Sequence, residues 1–294
     1  MPASDRLYQE QRVMFADFDA YFVKNNLDGM KTVLLLSAVR YPESGQDTCG
    51  IDPYYFTSQN AYNNTKKLIE NIKSKGYFAQ KANDVYLKQL AAEMGIGSIG
   101  LNTICVTEEF GSFFEMEAIC TDMPLEESTK IPAPVSCTNC RNCMNACPTG
   151  AITPDGFVRE NCLRNHMLSG KPVPEHMREK MGQRLIGCSI CRDVCPNNKG
   201  KKLMGAILPV DLTEVFSLED MLDTEGKSVH QKRREEILGS NLVRRERLCA
   251  QAIIIAANAQ RKDLIGHIKK LVGHKNPAIA QHALWAEAKL EREG

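Results

Sequence analysis

Short apolar runs alternate with helix-period segments up to about residue 125, and past residue 205 the helical period stands alone. Over residues 1–30, Tyr8, Val13, Phe15, Phe18, Tyr21 and Phe22 fall at mixed, partly helical spacings and predict a helical lead-in. Lys31–Arg40 (KTVLLLSAVR) has the length and composition of a buried strand. Pro42, Gly45, Gly50 and Pro53 make Tyr41–Tyr55 a loop. Ser58–Lys75 then reads as an amphipathic helix, with Tyr62, Leu68, Ile69 and Ile72 on one side and Gly76 as its stop. A short strand at Tyr77–Lys81 and a helix over Asp84–Met94 follow. Thr103–Thr107 and Phe113–Thr121, separated by Glu108–Gly111, carry a hairpin signal. Such interspersed elements predict an α+β or α/β first domain. Pro124, Pro132 and Pro134 mark a linker out of it. Towards the end, Asn241–Asn258, Leu264–Val272 and Pro277–Glu291 predict three consecutive helices with Ala-rich inner faces, in the manner of HEAT-type repeats.

The longest apolar runs, Val33–Leu36 and Ala252–Ala257, are far short of the roughly 20 residues that a bilayer span needs. The polar N-terminus lacks the apolar core of a signal peptide, so a cytoplasmic protein without membrane contact is expected. Net charge is +1, yet Lys227–Lys275 holds 12 Lys or Arg against 4 Asp or Glu. This basic stretch is a candidate surface for tRNA or another polyanion, or else a solvated helix face.

The chain has 12 cysteines, which in a reducing compartment call for metal or redox chemistry rather than crosslinks. Eight lie within Cys137–Cys195. Cys137, Cys140 and Cys143 follow one another at two-residue gaps, and Cys147-Pro148 comes after three more residues. Three thiolates so spaced bind three irons of one cubane, and the fourth serves a second cluster. Cys188, Cys191 and Cys195-Pro196 form a similar group, with Cys162 available to complete it. Cys137, Cys140, Cys143 and Cys195 are therefore expected to hold one [4Fe–4S] cluster, and Cys147, Cys162, Cys188 and Cys191 the other. Structural zinc, which favours two separated Cys pairs, has no use for this spacing. Cys49, Cys105, Cys120 and Cys249 stand alone and read as small buried hydrophobes.

Leu90–Leu125 reads LAAEMGIGSIGLNTICVTEEFGSFFEMEAICTDMPL. Gly95, Gly97, Gly100, Asn102, Phe110, Gly111, Thr121, Asp122, Pro124 and Leu125 strongly resemble the pattern of epoxyqueuosine reductases and the related reductive dehalogenases. The cysteine module and helical tail follow in the same order. The glycine-rich turn follows a helix and precedes a strand, the reverse of a dinucleotide-binding turn. The resemblance implies a nitroreductase-like first domain and a cobalamin reduced by the clusters, with Gly95, Gly97, Gly100 and Asn102 in the cobalamin region. It also implies a tRNA-binding role for the tail, where Lys232, Arg233, Arg234, Arg244, Arg245 and Arg247 lie. Those enzymes carry an Asp-Tyr-His in the helix that here reads Asn60-Ala61-Tyr62-Asn63, without the acid. All six histidines lie at or beyond residue 166, so the first domain offers no imidazole to cobalt.

The expected architecture is α+β in three parts: 1–130 as the cobalamin-binding domain, 131–205 as the two-cluster ferredoxin-like module and 206–294 as the HEAT-like tail. The expected function is an iron–sulfur reductase taking electrons from a ferredoxin or flavodoxin through the clusters to a corrinoid and an unidentified substrate. Asp122, Tyr62 and Glu108 are the candidates for proton delivery. The alternative is an electron-transfer protein, or corrinoid reductase, without a substrate of its own.

Overall fold

In the computed structural model the described residues are 10–292 except 44–46, 129–132, 134, 206–209 and 227. Pro132, Pro134 and Lys227 therefore lie outside the described residues. Two compact units form, and they interleave along the chain instead of following the three serial parts. One takes the residues up to Tyr41 with Phe56–Arg141 and Arg192–Gly205; the other takes Pro42–Tyr55, Asn142–Cys191 and Ala206–Gly294.

The first unit is built on an antiparallel sheet of four strands: β1 (Ala20–Asn25), β2 (Lys31–Ala38), β3 (Ala79–Lys81) and β6 (Phe114–Thr121), in the order β1-β2-β6-β3. Every residue of β2 from Thr32 to Ala38 is buried. The reason is that the sheet is covered on both faces, which turns the usual alternation into a continuous apolar run. On one face Val33, Leu35 and Ile119 pack with Leu68 and Ile72 of helix α1 (Tyr54–Ser74). On the other, Leu34, Leu36 and Ala118 pack with Leu90 and Ala91 of helix α2 (Leu87–Glu93).

Two sequence expectations are corrected here. The helical lead-in gives way at Ala20–Asn25 to strand β1, paired along its length with β2. Its apolar side chains satisfy a sheet edge as well as a helix, and the pairing decides. The expected hairpin also does not form. β5 (Cys105–Thr107) pairs with β4 (Gly97–Ile99), while β6 pairs with β2 and β3. The long apolar strand gains two neighbours in the main sheet, whereas the three-residue β5 is satisfied locally across the Gly100–Asn102 turn.

In the second unit helix α3 (Arg245–Asn258) is buried over ten consecutive residues, Leu248–Ala257. A helix apolar on all sides belongs inside, and it packs on α5 (Pro277–Arg292), which also meets α4 (Ile265–Lys270). Ile254 of α3 joins Leu163, Met167, Val173, Met177 and Met181 in one core cluster. The tail helices thus form the wall against which the segment around Cys162 folds. His282 of α5, fully buried, pins that wall: Nδ1 lies 2.8 Å from the Ala250 carbonyl and Nε2 accepts from Val173 N–H at 2.9 Å. Burial first of all pushes its pKa down to about 4.

The basic stretch is also revised. Arg234 is 1% exposed, donates to the Val215 carbonyl and pairs with Asp220 at 2.6 Å, so it presents no charge to a polyanion. Arg233 pairs with Glu236 at 3.0 Å. Arg244, Arg245 and Arg247 remain at the start of α3, with Arg245 bonded to the Asp223 carbonyl at 2.8 Å. Among the described residues no helix is long and apolar enough to cross a membrane.

Candidate metal centres

The segment from Cys137 to Arg141 curls tightly. Asn139 and Arg141 both have left-handed backbone, with φ of 53° and 63°. Asn tolerates that conformation, but Arg does so only under constraint, and such strain is held where surrounding structure demands it. Cys195 closes on this curl. Its thiol is pushed up by burial, drawn down by the Asn197 N–H and pushed up again by the neighbouring Cys140 and Cys137 sulfurs. Asn197 also donates to the Ser136 carbonyl at 3.1 Å. The Pro after Cys195 opens a 3₁₀ turn, Pro196–Asn198, at the position where a missing N–H costs nothing.

That turn is held by Asn198, which is 5% exposed and absent from the sequence candidates. Its side chain accepts from Ser112 N–H at 2.7 Å and donates to Ser112 Oγ at 2.8 Å and to the Arg192 carbonyl at 2.6 Å. Gly111 makes this approach possible. At φ 57°, any Cβ there would collide with Asn198 Oδ1 and lie 2.9 Å from the Asn197 carbonyl. The Phe110-Gly111 pair of the resemblance is therefore a seat for the Cys195 turn.

The second unit gathers Cys147, Cys162, Cys188 and Cys191, and Cys143, expected with the first group, lies here as well. Burial raises the Cys188 thiol; the Ile190 N–H and Arg184 oppose it, and the Cys162 and Cys147 sulfurs add to it. Burial, then Cys188, Cys162, Cys143 and Cys147, push Cys191 up to about 12. Cys147 goes the other way. Burial raises it, but N–H groups of Thr149, Ala151 and Ile152 and the Thr149 hydroxyl together hold it below the ordinary thiol range. Ala151 N lies 3.3 Å from its sulfur and Thr149 Oγ1 3.6 Å. Among the described residues no three Cys, His, Asp or Glu close on a single-ion site. Of the solitary cysteines, Cys105 and Cys249 are 2% and 1% exposed, as expected of small hydrophobes; Cys49 and Cys120 are only partly buried.

The proton-delivery candidates are not brought together. Asp122 accepts from Phe78 N–H at 2.7 Å and Glu108 from Ala133 N–H at 2.9 Å. Asp122 directly follows the eight-residue β6, a strand roughly 25 Å long, and Glu108 lies before its other end, beyond the Thr107–Gly111 turn. Tyr62 lies with neither. The Lys66 and Lys81 ammonium groups stand 4.7 and 5.1 Å from its ring centre. Lys81 in turn grips Glu117, at 2.9 and 2.6 Å from its two carboxylate oxygens, and Ser58 donates to Glu115 at 3.3 Å. Glu115 and Glu117 are 8% and 6% exposed. Two acids at alternate positions in an otherwise apolar strand were the signal for this buried polar cluster.

The glycine-rich turn is accounted for by packing. Gly95, at φ 72°, follows the end of α2; a Cβ on Gly97 would meet the Val106 carbonyl at 2.6 Å across the hairpin. A Cβ on Gly100 would come within 3.0 Å of Asn102 Oδ1, which itself accepts from Ile104 N–H at 3.2 Å. Ser98 Oγ is buried without a hydrogen-bond partner, a single hydroxyl.

With this geometry in hand, residues 136–198, which contain all eight clustered cysteines, match the model of the 4Fe-4S double cluster binding domain. The chain is 36% identical over 112 residues to the epoxyqueuosine reductase of Lactococcus garvieae (strain Lg2), covering 38% of this chain and 31% of that protein. It thus spans about a third of the length of this curated relative. Its fold matches the structure of epoxyqueuosine reductase from Streptococcus thermophilus with a TM-score of 0.78 at 18% identity, covering 100% of this chain and 92% of that one. It matches a crystal structure of epoxyqueuosine reductase with a tRNA-Tyr epoxyqueuosine-modified stem loop with a TM-score of 0.69 at 21% identity, covering 97% and 82%. The chain therefore has a double [4Fe–4S] segment at residues 136–198 and is similar, in sequence and in fold, to the epoxyqueuosine reductases.

Proposed function

We propose that this protein is an iron–sulfur reductase of the epoxyqueuosine reductase type. The observation that carries the reading is that, within the double-cluster segment, Cys195 neighbours Cys140 and Cys137 while Cys191 neighbours Cys188, Cys162, Cys143 and Cys147. In it, Cys137, Cys140, Cys143 and Cys195 hold one cluster and Cys147, Cys162, Cys188 and Cys191 the other. Cys143 joins the first set on its two-residue gap from Cys140. The donor set fits: eight thiols, four per cubane, with backbone N–H groups aimed at Cys147. The clusters supply one-electron transfer when bound. The chain's own part is to hold the thiols, to bury Cys188 and Cys191 in part, and to fix the Cys195 turn through Asn198. Anaerobically prepared protein should carry about eight irons with matching sulfide, and an iron content near four would remove one of the two ligand sets.

The resemblance adds a cobalamin, but the residues it points to do not fit that group. The space beside Gly97 and Gly100 is filled by the Val106 carbonyl and Asn102, and Asn102 Oδ1 is itself taken by Ile104 N–H. No step is taken through a corrinoid, and cobalt analysis of protein from corrinoid-fed cells tests that directly.

In this reading the substrate is a modified tRNA or a related polyanion, met by Arg244, Arg245 and Arg247. Binding should weaken steeply with salt, and Arg244→Ala with Arg245→Ala should flatten that slope. Ala61 is 2% exposed within α1 and carries no proton where the resemblance has an acid. A positioned acid contributes roughly 10²–10⁴-fold, so epoxyqueuosine in tRNA should be converted slowly. Rapid conversion by the reduced protein would show that another group, such as Tyr62 beside Lys81, protonates the product.

A further inference from the structure

We infer that Arg164, clasped by Tyr55, is a positioning residue of the Cys191 group, and that its fixed charge raises the reduction potential of the cluster held there. The inference rests on the two-cluster reading above. Tyr55 and Arg164 both belong to the second unit and are 109 positions apart in the chain. The clasp is built first on the segment that enters Cys188. Asp52 N–H donates to the Ile186 carbonyl at 2.9 Å, and Leu185 N–H donates to the Gly50 carbonyl at 2.9 Å. The loop before Tyr55 is thereby splinted to residues 185–186. Gly187, the residue before Cys188, has left-handed backbone at φ 94°, and a Cβ there would lie 2.6 Å from Tyr55 Cε2 and 2.8 Å from Asp52 Cβ. The Tyr55 ring, 3% exposed, is therefore seated against the backbone next to Cys188.

The other end of the same side chain reaches the Cys162 segment. Arg164 Nε donates to the Tyr55 hydroxyl at 2.8 Å, and the guanidinium stands 5.7 Å from the Tyr55 ring centre. One tyrosine thus ties the chain two residues after Cys162 to the chain one residue before Cys188. Arg164 is an exposed residue, yet protein atoms crowd its guanidinium. That crowding opposes its charge, but Tyr55, Tyr54 and the Cys162 sulfur outweigh it, so the group stays firmly cationic. A clasp alone would need only a hydrogen-bond donor, which a neutral side chain supplies. A guanidinium adds a positive charge beside a thiol ligand. Reduction adds negative charge to a cluster, so a cation held nearby favours the reduced form and raises the potential. Arg184, bonded to the Met181 carbonyl at 3.1 Å, acts on Cys188 in the same sense. The influences on Cys195 are burial, the Asn197 N–H and two sulfurs, so the charge of Arg164 should tell on the Cys191 cluster alone.

The test uses the full chain with its clusters, after iron and sulfide analysis. The midpoint of each centre is read in a redox titration followed by electron paramagnetic resonance. Arg164→Gln, which keeps an N–H donor for Tyr55, should lower the midpoint of the Cys191 cluster by about tenfold in its reduction equilibrium, or ~59 mV for one electron. The Cys195 cluster should not move. Arg164→Lys, which keeps the charge, should restore most of the shift. Tyr55→Phe leaves the ring in its seat on Gly187 but releases the guanidinium, so it should lower the midpoint by less and make it sensitive to salt. An unmoved midpoint in Arg164→Gln overturns the inference, and so does an equal shift in both centres. Failure of Arg164→Lys to restore the midpoint also overturns it, because the residue then serves the shape of the site and not its charge. Should Arg164→Gln lose iron, a parent-like midpoint in Arg164→Lys with a lowered one in Tyr55→Phe upholds the inference, and any other result overturns it. Parent protein that carries no iron would overturn the two-cluster reading along with it.

Discussion

The two thiol groups share a motif and differ in surroundings. Around Cys195 the sulfurs are partly open to water, and the site is shaped by a strained backbone curl and by Asn198. In the other group burial raises the Cys188 and Cys191 thiols above all, while Cys147 accepts several N–H donors. Solvent exposure and hydrogen bonds to sulfur are two of the levers that set a cluster's potential. In the two-cluster reading, ligand sets of identical chemistry thus lie in unlike surroundings. The Cys191 group also has more to gain from iron. Cys191, held at about 12 without metal, must lose its proton to become a ligand, so cluster assembly and the stability of the second unit are coupled.

The comparison is broken most directly at Cys191. Cys191→Ala should remove about four of about eight irons and leave the spectrum of the Cys195 cluster in place. Loss of all iron would show that the groups assemble as one.

The next effect in size is acid sensitivity of the unit that holds the Cys191 group. The folded His282 has a depressed pKa, so the unfolded chain takes up the proton first. Stability is complete above about pH 6.5 and falls as pH drops towards about 4. The slope over that window is on the order of 1.4 kcal/mol per pH unit. His282→Leu should lower the melting temperature at neutral pH but remove that slope, as seen in thermal melts at a series of pH values. An unchanged slope would place the acid-labile group elsewhere.

Asn198→Ala sharpens the comparison from the Cys195 side. It leaves Ser112 N–H, in a residue 3% exposed, without its acceptor, at a cost of about 1–3 kcal/mol. Iron should become labile at the Cys195 cluster alone, with altered electron-paramagnetic resonance of that centre. Gly111→Ala should do the same by collision. Thr149→Val has the smallest effect, removing a hydroxyl 3.6 Å from Cys147 on the scale of about 0.5–1 kcal/mol. Redox titration should show a lower potential for the Cys191 cluster and no change for the Cys195 one.

Spacing alone made the double-cluster segment legible, because three thiols at two-residue gaps and a distant fourth have few other uses. The buried strand β2 and the tail helices were legible for a similar reason, since their apolar periods are long and unbroken. Hydrophobic pattern could not choose partners. Phe113–Thr121 and Thr103–Thr107 look like a hairpin along the chain, yet a long strand gains more from two neighbours in the main sheet than from a three-residue one. Charge counting could not tell a surface from a core, so Arg234 read as part of a basic stripe while Asp220 and the Val215 carbonyl hold it inside. At Gly97 and Gly100, which the resemblance sets in a cobalamin region, the missing side chains make room for the chain's own carbonyl and side-chain atoms.

The double-cluster segment thus follows from the sequence by itself, because covalent spacing limits which sulfurs one cubane can reach. The deeper burial of the Cys188 and Cys191 thiols, the Asn198 clasp on Gly111 and the Lys81–Glu117 pair were decided only by the tertiary structure. Each of them depends on residues tens of positions apart, 86 for Ser112 and Asn198, and only the packing of the folded chain sets such distances.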